Sequence, residues 1–331
     1  MPPMHKTGVA IASTLSLLAL APAAHAGTIS LGITTGPSGG ESYVEYRGAP
    51  GEANRVSVTE DPERFGRFTL TDRGAKRVRV AKADRRACRS IGLRRARCVA
   101  TKSAVQLFLG EGDDTADLSG WCASPAAGEP ERTITPAGLR DFLVDDDEED
   151  STGGLRIPGL LTYVGGGAGD DVLRGGCRSE AFSDGAGSDT VRAGAGADVL
   201  LPEVDGAPDA FDGEAGLDAV SYRATELGTA PLTIDLAAGR TGPAGEPDTV
   251  AGVAIAEGAA VPDHLIGAAG NEALLGREAT TTSTAVPGPT SCPAATAPTP
   301  RRPRRRTSST PTASAASPRT ATFDGLPALV V

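Results

Sequence analysis

An acidic residue recurs every nine positions through the middle of this 331-residue chain. Each acid follows a short turn-like stretch, in most cases rich in glycine, and an apolar residue stands two positions after it. Carboxylates that face one another at short range repel unless cations screen them. This regular spacing therefore indicates a region that binds metal ions. The acids of the series are Asp171, Glu180, Asp189 and Asp198.

The acids belong to a nine-residue repeat. Read from Gly166, each repeat has an acid at its sixth position and an apolar residue at its eighth. This pattern resembles the GGxGxDxUx repeat of the repeats-in-toxin (RTX) family, the hemolysin-type calcium-binding repeat. The four repeats are GGAGDDVLR (166–174), GGCRSEAFS (175–183), DGAGSDTVR (184–192) and AGAGADVLL (193–201). Their eighth positions hold Leu173, Phe182, Val191 and Leu200.

The resemblance implies an all-β fold in which the repeats form a parallel β-roll. In that fold the first six residues of a repeat form a turn and the last three a short strand, so two repeats complete one coil. Glycine allows the tight turn, which directs carbonyl oxygens inward. Carbonyl and carboxylate oxygens in an irregular cage suit Ca²⁺ better than Mg²⁺, which needs stricter octahedral geometry. The metal ligands implied in this way are Gly167, Gly169, Asp171, Gly185, Gly187, Asp189, Asp198 and Asp218.

The register of the repeats makes a specific prediction about which turns meet. Because a coil takes two repeats, each turn should lie beside the turn two repeats away. Residues 166–171 should therefore lie beside residues 184–189. In this arrangement we expect Asp171 and Asp189 to share an ion.

The opposite edge of the roll departs from the repeat pattern. Residues 175–180 should lie beside residues 193–198. However, Arg178 replaces the glycine at the fourth position and Glu180 replaces the aspartate at the sixth. We therefore expect this edge to bind an ion weakly or not at all at this coil.

Looser copies of the repeat flank the four regular ones. Residues 213–221 place Asp218 at the sixth position, so we expect it to meet Asp198 despite a shift of two residues before Gly213. Partial copies stand at 109–115 and 263–275. The predicted repeat region accordingly covers residues 106–276.

The first 26 residues have the features of a secretory signal peptide. A polar start is followed by an apolar run from Val9 to Pro22 and by Ala24-His25-Ala26, an A-x-A cleavage site. The apolar run is short for a membrane span, and no second run follows. We therefore expect an exported, extracellular protein with no membrane span in its mature chain.

Residues 27–105 alternate between apolar and polar residues in short segments separated by turn residues. This pattern predicts a small antiparallel β domain before the repeats. The expected strands are 42–46, 55–59, 67–71, 78–80 and 105–109.

Five cysteines are present, and cysteines of an exported protein are expected to pair. Cys88 and Cys98 are close enough in sequence to staple a hairpin. Cys122 and Cys177 could tie the front of the repeat region to its middle. Cys292 remains unpaired in this scheme.

The charge of the chain is unevenly distributed. The net charge is −10, yet residues 73–102 hold a dozen lysines and arginines, with Asp84 as their only acid. This stretch either binds polyanions or forms a solvated strand face. It contains no interleaved aromatic residues, so it does not favour single-stranded nucleic-acid binding.

Residues 277–331 are rich in Thr, Ala, Pro, Ser and Arg, a composition that predicts disorder. If the codons carry G or C at third positions, a one-base shift of frame turns 284–299 into GGPGADVLS-GGDGAD. We therefore hypothesise that this tail is an out-of-frame remnant of further repeats. A natural Pro/Thr-rich stalk is the alternative.

Motifs for catalysis are weak. There is no H-E-x-x-H zinc-protease motif, and the G-x-S-x-G match at 36–40 lacks the helix that a nucleophile elbow needs. After loss of the signal peptide, His264 is the only histidine. The sequence thus predicts a secreted, non-enzymatic, calcium-binding repeat protein. The alternatives are a cell-surface protein that binds cell-wall or extracellular polymer and uses calcium as scaffold, and a secreted hydrolase with an unrecognised site.

Overall fold

The computed structural model describes residues 26–34, 40–121, 162–223, 225, 227, 229–269, 272–276, 282–284 and 329–330. These residues form an all-β structure in which two long sheets face each other. One short 3-10 helix, Lys82–Asp84, is the only helical element within this part of the chain. The all-β class that the sequence predicts is confirmed.

The strands follow one another in short steps. In chain order they are β1 Gly27–Thr34, β2 Glu41–Arg47, β3 Arg55–Glu60, β4 Arg67–Asp72, β5 Val78–Val80, β6 Cys88–Ser90, β7 Arg95–Val99, β8 Val105–Glu111, β9 Thr115–Asp117, β10 Thr162–Ala168, β11 Val172–Arg174, β12 Glu180–Ala186, β13 Thr190–Arg192, β14 Ala195–Gly196, β15 Val199–Leu201, β16 Ala210–Asp212, β17 Ala215–Gly216, β18 Ala219–Ser221, β19 Leu232–Asp235, β20 Arg240–Pro243, β21 Asp248–Ala251, β22 Ile255–Glu257, β23 Asp263–Ile266, β24 Ala273–Leu275, β25 Thr282–Thr284 and β26 Leu329–Val330.

The chain passes back and forth between the two sheets, and each coil adds one strand to each. The first sheet has the order β5-β1-β2-β8-β10-β12-β15-β18-β22-β24-β26. All its neighbours from β2 onward are parallel. The second sheet has the order β6-β7-β4-β3-β9-β11-β13-β16-β21-β20-β19-β23-β25. The result is a parallel-stranded, solenoid-like fold.

The repeat register follows the sequence prediction. Strand β10 lies beside β12, and β11 beside β13, so that Leu173 is paired with Val191. On the other sheet Phe182 is paired with Leu200. All four of these eighth-position side chains are fully buried between the sheets. Burial of side chains of this size stabilises the fold by roughly 1.5–3 kcal/mol each.

The N-terminal strands form a cap that shares both sheets with the solenoid. Strands β1 and β2 are antiparallel, as are β3, β4, β7 and β6 in turn. Strands β2 and β3 then pair in parallel with β8 and β9. All five strands expected in this region are present, and β1, β6 and β7 are additional.

A disulfide staples the cap. Cys88 and Cys98 face each other on β6 and β7 and are bonded, as the sequence predicts. Cys177 is also disulfide-bonded. Its expected partner, Cys122, lies outside the described residues, as do Cys292 and the first 25 residues of the expected signal peptide.

A hairpin interrupts the second sheet near its end. Strands β19 and β20 lie between β21 and β23, so β21 and β23 do not touch as consecutive coils would. Within 277–331, where the sequence predicts disorder, β25 and β26 are described and extend the two sheets. In the described part of the chain no helix is long and apolar enough to span a bilayer.

Candidate metal centre

The turns stack closely, and glycine makes this possible. Gly185 has a φ of 101°, and a Cβ there would lie 1.8 Å from the Gly167 carbonyl oxygen. Gly187 has a φ of 137°, and a Cβ there would lie 2.1 Å from the Gly169 carbonyl oxygen. The four glycines expected as ligands therefore lie in adjacent turns, where the carbonyls of one turn face the backbone of the next.

What we call the first edge consists of the turns that lead from the first sheet to the second, together with the β20–β21 turn that stacks on them. On this edge the backbone N–H of Asp171 donates to Asp189 Oδ1 at 2.7 Å. The predicted pair of acids thus lies together, in the adjacent turns that the register requires.

The same contact extends along the first edge in both directions. The Asp114 N–H donates to Asp171 Oδ1 at 2.8 Å, and the Asp189 N–H donates to Asp209 Oδ1 at 2.7 Å. The Asp209 N–H donates in turn to Asp248 Oδ1 at 2.9 Å. Five acids therefore form one continuous ladder, which Asn54 begins by donating its N–H to Asp114.

Each of these five acids keeps one carboxylate oxygen without a partner. None of them is more than 3% exposed. Oδ1 accepts the hydrogen bond from the neighbouring turn, while Oδ2 is buried and has no hydrogen-bond partner in the structure. Buried polar atoms are seldom left unpaired, so this row of oxygens requires a physical explanation.

The pKa values of the ladder acids also reflect the cost of burying unpaired carboxylates. Burial raises the pKa of Asp171 to about 7, with further increases from the charges of Asp114 and Asp189. Burial also raises the pKa of Asp189 to about 6. For Asp209 and Asp248 the pKa is about 7, again mainly because of burial. Full ionisation of the ladder is therefore unfavourable without a counter-cation.

A buried group of three carboxylates lies at the centre of the first edge. Oxygens of Asp184, Asp189 and Asp209 lie within 4.8 Å of one another. Asp184 occupies the first position of its repeat, where Gly166 and Gly175 stand in the two preceding repeats. Its Oδ2 is buried without a partner, and burial raises its pKa to about 9.

A second group shares one of these acids. Asp205, Asp209 and Glu246 also have oxygens within 4.8 Å of one another. This group is more exposed, and backbone N–H groups already donate to Asp205 and Glu246. Asp209 thus links a buried group with a group at the surface.

The second edge comprises the turns that lead from the second sheet back to the first. Here the Glu180 N–H donates to Asp198 Oδ1 at 2.7 Å, and the Asp198 N–H donates to Asp218 Oδ1 at 2.8 Å. Asp218 thus lies beside Asp198, as the register predicts. Each of these three acids also has one buried oxygen without a partner. Burial raises the pKa of Glu180 to about 8 and that of Asp198 to about 9.

The second edge is shorter because an alanine interrupts it. Ala254 occupies the position beside Asp218, and its N–H donates to the Asp218 backbone carbonyl. The next acid at an equivalent position, Glu272, lies beyond this alanine. The second edge therefore holds three consecutive acids where the first edge holds five.

Arg178, which departs from the repeat, packs against the cap. Its guanidinium carbon lies 5.4 Å from the centre of the Trp121 ring, and its Nη2 lies 3.4 Å from a Glu60 oxygen. The Trp121 indole donates to the same carboxylate at 2.8 Å. The Arg178 carbonyl still faces Gly196 as a glycine carbonyl would. The substitution thus preserves the backbone stacking of the second edge.

Sequence reasoning missed Asp184, Asp209 and Asp248. Asp209-Ala210-Phe211 and Asp248-Thr249-Val250 carry the same acid-x-apolar signal as the regular repeats. They stand 20 and 39 residues after the preceding acid of the ladder instead of 18. A search for an acid followed two residues later by an apolar residue, without a fixed spacing between matches, would have found Asp209 and Asp248.

The residues of the catalytic alternative are described only in part. His264 is exposed, and its Nδ1 lies 2.8 Å from Thr282 Oγ1. Ser38, the candidate nucleophile, lies outside the described residues.

No protein-family model matches this chain, and no curated protein matches it either.

Proposed function

We propose that this chain is a calcium-binding solenoid whose ions are held along the first edge. One observation carries the proposal: five consecutive buried acids each keep a carboxylate oxygen without a partner. A buried carboxylate is costly unless it is paired. Cations placed between the turns would satisfy several such oxygens at once.

The chemistry of the donor atoms favours calcium. Every candidate donor is a carboxylate or carbonyl oxygen, which suits a hard cation. The donors come from separate turns and from irregular backbone, an arrangement that Ca²⁺ tolerates better than Mg²⁺. No histidine or cysteine belongs to the acidic groups of the described residues, so softer metals are disfavoured.

Ion binding would be coupled to folding. The acids of the ladder come together only when the coils stack, so the unfolded chain lacks the site. A ligand that binds the folded state alone stabilises it by mass action. We further propose, on the basis of residues 1–26, that the protein is exported to an environment where calcium is abundant.

The test is calorimetric titration of the full-length protein with Ca²⁺. The double variant Asp171→Asn, Asp189→Asn keeps side-chain volume but removes two ladder charges, and we expect most of the binding heat to be lost. Asp170→Asn is the matched control, because Asp170 is exposed in the same turn. Equal heats from the wild type and the double variant would exclude the first edge as the site.

A further inference from the structure

Arginines face one another on the outer side of the cap. In the antiparallel pair β6–β7, Arg89 lies directly opposite Arg97. Arg95 stands two residues before Arg97 and therefore projects from the same face of the sheet. Like charges directly opposite each other disfavour strand pairing, so this arrangement is not explained by the stability of the sheet.

Arg97 also has an unsatisfied donor. Its Nε is buried and has no hydrogen-bond partner in the structure. No ion pair within the described part of the chain involves Arg89, Arg95 or Arg97. A buried donor of a charged group without an acceptor is costly, so an anion that accepts a hydrogen bond from this Nε would be stabilising.

The surroundings add to the positive charge. Asp84 is the only acid in 73–102, and its carboxylate accepts a hydrogen bond from the Leu31 N–H. A basic cap on a chain with net charge −10 produces a localised positive field. The other exposed basic residues of the stretch 73–102 are Arg73, Lys76, Arg77, Arg79, Lys82, Arg85, Arg86 and Arg94.

We infer that Arg89, Arg95 and Arg97 form a binding surface for an extended anionic polysaccharide that carries sulfate or phosphate groups. The planar guanidinium group donates two parallel hydrogen bonds to such an oxyanion. The charges are spaced by about 5 Å across the strands and about 7 Å along one strand. A flat row of this kind suits a polymer that lies on the sheet.

The neighbouring residues favour a polysaccharide over a nucleic acid. Thr69 and Thr71 lie opposite Arg97 and Arg95 on β4, and their hydroxyl groups can bind sugar or oxyanion oxygens. The exposed large apolar residues of the cap are aliphatic except for one aromatic side chain, Phe65, which stands two residues before β4. A single aromatic ring does not provide the row of stacking platforms that successive bases need.

The experiment measures binding of the full-length protein to dextran sulfate, with uncharged dextran as control. We expect the double variant Arg95→Gln, Arg97→Gln to bind at least about tenfold more weakly. Arg77→Gln, Arg79→Gln removes the same charge from another part of the cap and should have a much smaller effect. Equal losses in both double variants would overturn the inference, because they would indicate diffuse attraction only.

A parallel series separates the remaining outcomes. Polyphosphate in place of dextran sulfate tests whether the surface prefers phosphate or sulfate. Equal affinity for duplex DNA, or salt-sensitive self-association of the protein in place of polymer binding, would contradict the inference. Binding that persists in EDTA shows that this surface acts independently of the proposed calcium sites.

Thermal melts distinguish a binding role from a structural one. Arg89→Gln removes one of two facing like charges, so we expect it to raise the melting temperature of the free protein. Dextran sulfate should raise the melting temperature of the wild type and have less effect on the variant. A lower melting temperature for Arg89→Gln would show that the arginine stabilises the cap instead.

Discussion

The two edges of the solenoid are built from the same kind of turn, yet they differ in how far their acids continue. The first edge keeps five acids in succession, from Asp114 to Asp248, across connections of very different length. The second edge keeps three and stops at Ala254. A ladder therefore continues as long as an acid stands at the start of each strand and those strands pair with one another. A constant repeat length is not required.

The edges also differ in what lies beside their acids. On the first edge Asp184 adds a further carboxylate to Asp189 and Asp209. On the second edge the positive charge of Arg178 partly offsets burial and lowers the pKa of Glu180. The first edge therefore concentrates negative charge, and we expect it to be the stronger cation site.

The largest effect expected is that of pH on the metal-free protein, because pH acts on every buried acid at once. The folded-state pKa values of Asp171 and Asp189, about 7 and about 6, lie above the ordinary 3.8. Folding then takes up protons, so the free energy of unfolding should be greatest near pH 4 and fall as pH rises to about 7. Thermal melts in EDTA between pH 4 and pH 8 measure this.

The comparison of the edges sharpens that test. Asp171→Asn, Asp189→Asn should flatten the fall only between pH 4 and pH 7. Asp198→Asn should also flatten it from pH 4, but its effect should continue above pH 7, because the pKa of Asp198 is about 9. A melting temperature that rises steadily from pH 4 to pH 8 would contradict the raised pKa values of these acids.

Glycine substitutions should show that the backbone stacking is common to both edges. At Gly185 and Gly216, φ is 101° and 151°, and a Cβ would lie 1.8 Å and 1.7 Å from a carbonyl oxygen. Alanine at either position should cost about 3 kcal/mol or more of stability, from clash and strain together.

Gly206 is the matched control for these substitutions. It has a φ of 90°, but a Cβ at this position would have no other atom within 4 Å. Alanine there should cost only about 1 kcal/mol. Urea unfolding measures all three variants, and a small effect at Gly185 alone would show that the first edge is more loosely stacked than the second.

Single neutral substitutions should separate the edges by their response to calcium. Asp189→Asn removes the central charge of the first edge and should reduce the calcium-dependent stabilisation by about 1–3 kcal/mol at saturating ion. Asp198→Asn on the second edge should reduce it less. In EDTA, Asp189→Asn should stabilise the protein, since a buried charge is lost.

Melting curves with and without calcium provide this measurement. Asp170→Asn serves as control for the loss of an exposed charge in a first-edge turn. If Asp198→Asn reduced the calcium response more than Asp189→Asn, the ranking of the two edges would be reversed.

The smallest effect is expected at Arg178. Arg178→Gly restores the repeat pattern but removes the contacts with Trp121 and Glu60, so stability should fall by about 1 kcal/mol. Glu60 keeps its hydrogen bonds from Trp121, Ser103 and Gly66, which limits the loss. Calcium stoichiometry should not change. An additional bound ion in this variant would show that Arg178 blocks a site on the second edge.

The central part of the first edge could be predicted from local sequence, and the rest could not for identifiable reasons. The nine-residue spacing placed Asp171 beside Asp189 because both lie in connections of the standard length. Asp209 and Asp248 were missed because their connections are longer, and a fixed period cannot follow an insertion. Asp184 was missed because it stands at a position where the pattern expects glycine.

The sequence by itself determined the repeat, the inward side of each strand and the register of the two central coils. The repeat follows from the nine-residue spacing of apolar residues and acids, and the register follows from the resemblance to the RTX repeat, which implies two repeats in each coil. It also determined the disulfide between Cys88 and Cys98 and the concentration of basic residues in the cap.

Only the tertiary structure decided where the ladders begin and end and which carboxylate oxygens lack a partner. It also decided that Arg89 faces Arg97. Pairing between coils joins residues far apart in the chain, such as Asp114 and Asp171 or Asp209 and Asp248. The burial and charge around each acid depend on such neighbours, and connection lengths that local sequence does not constrain bring them together.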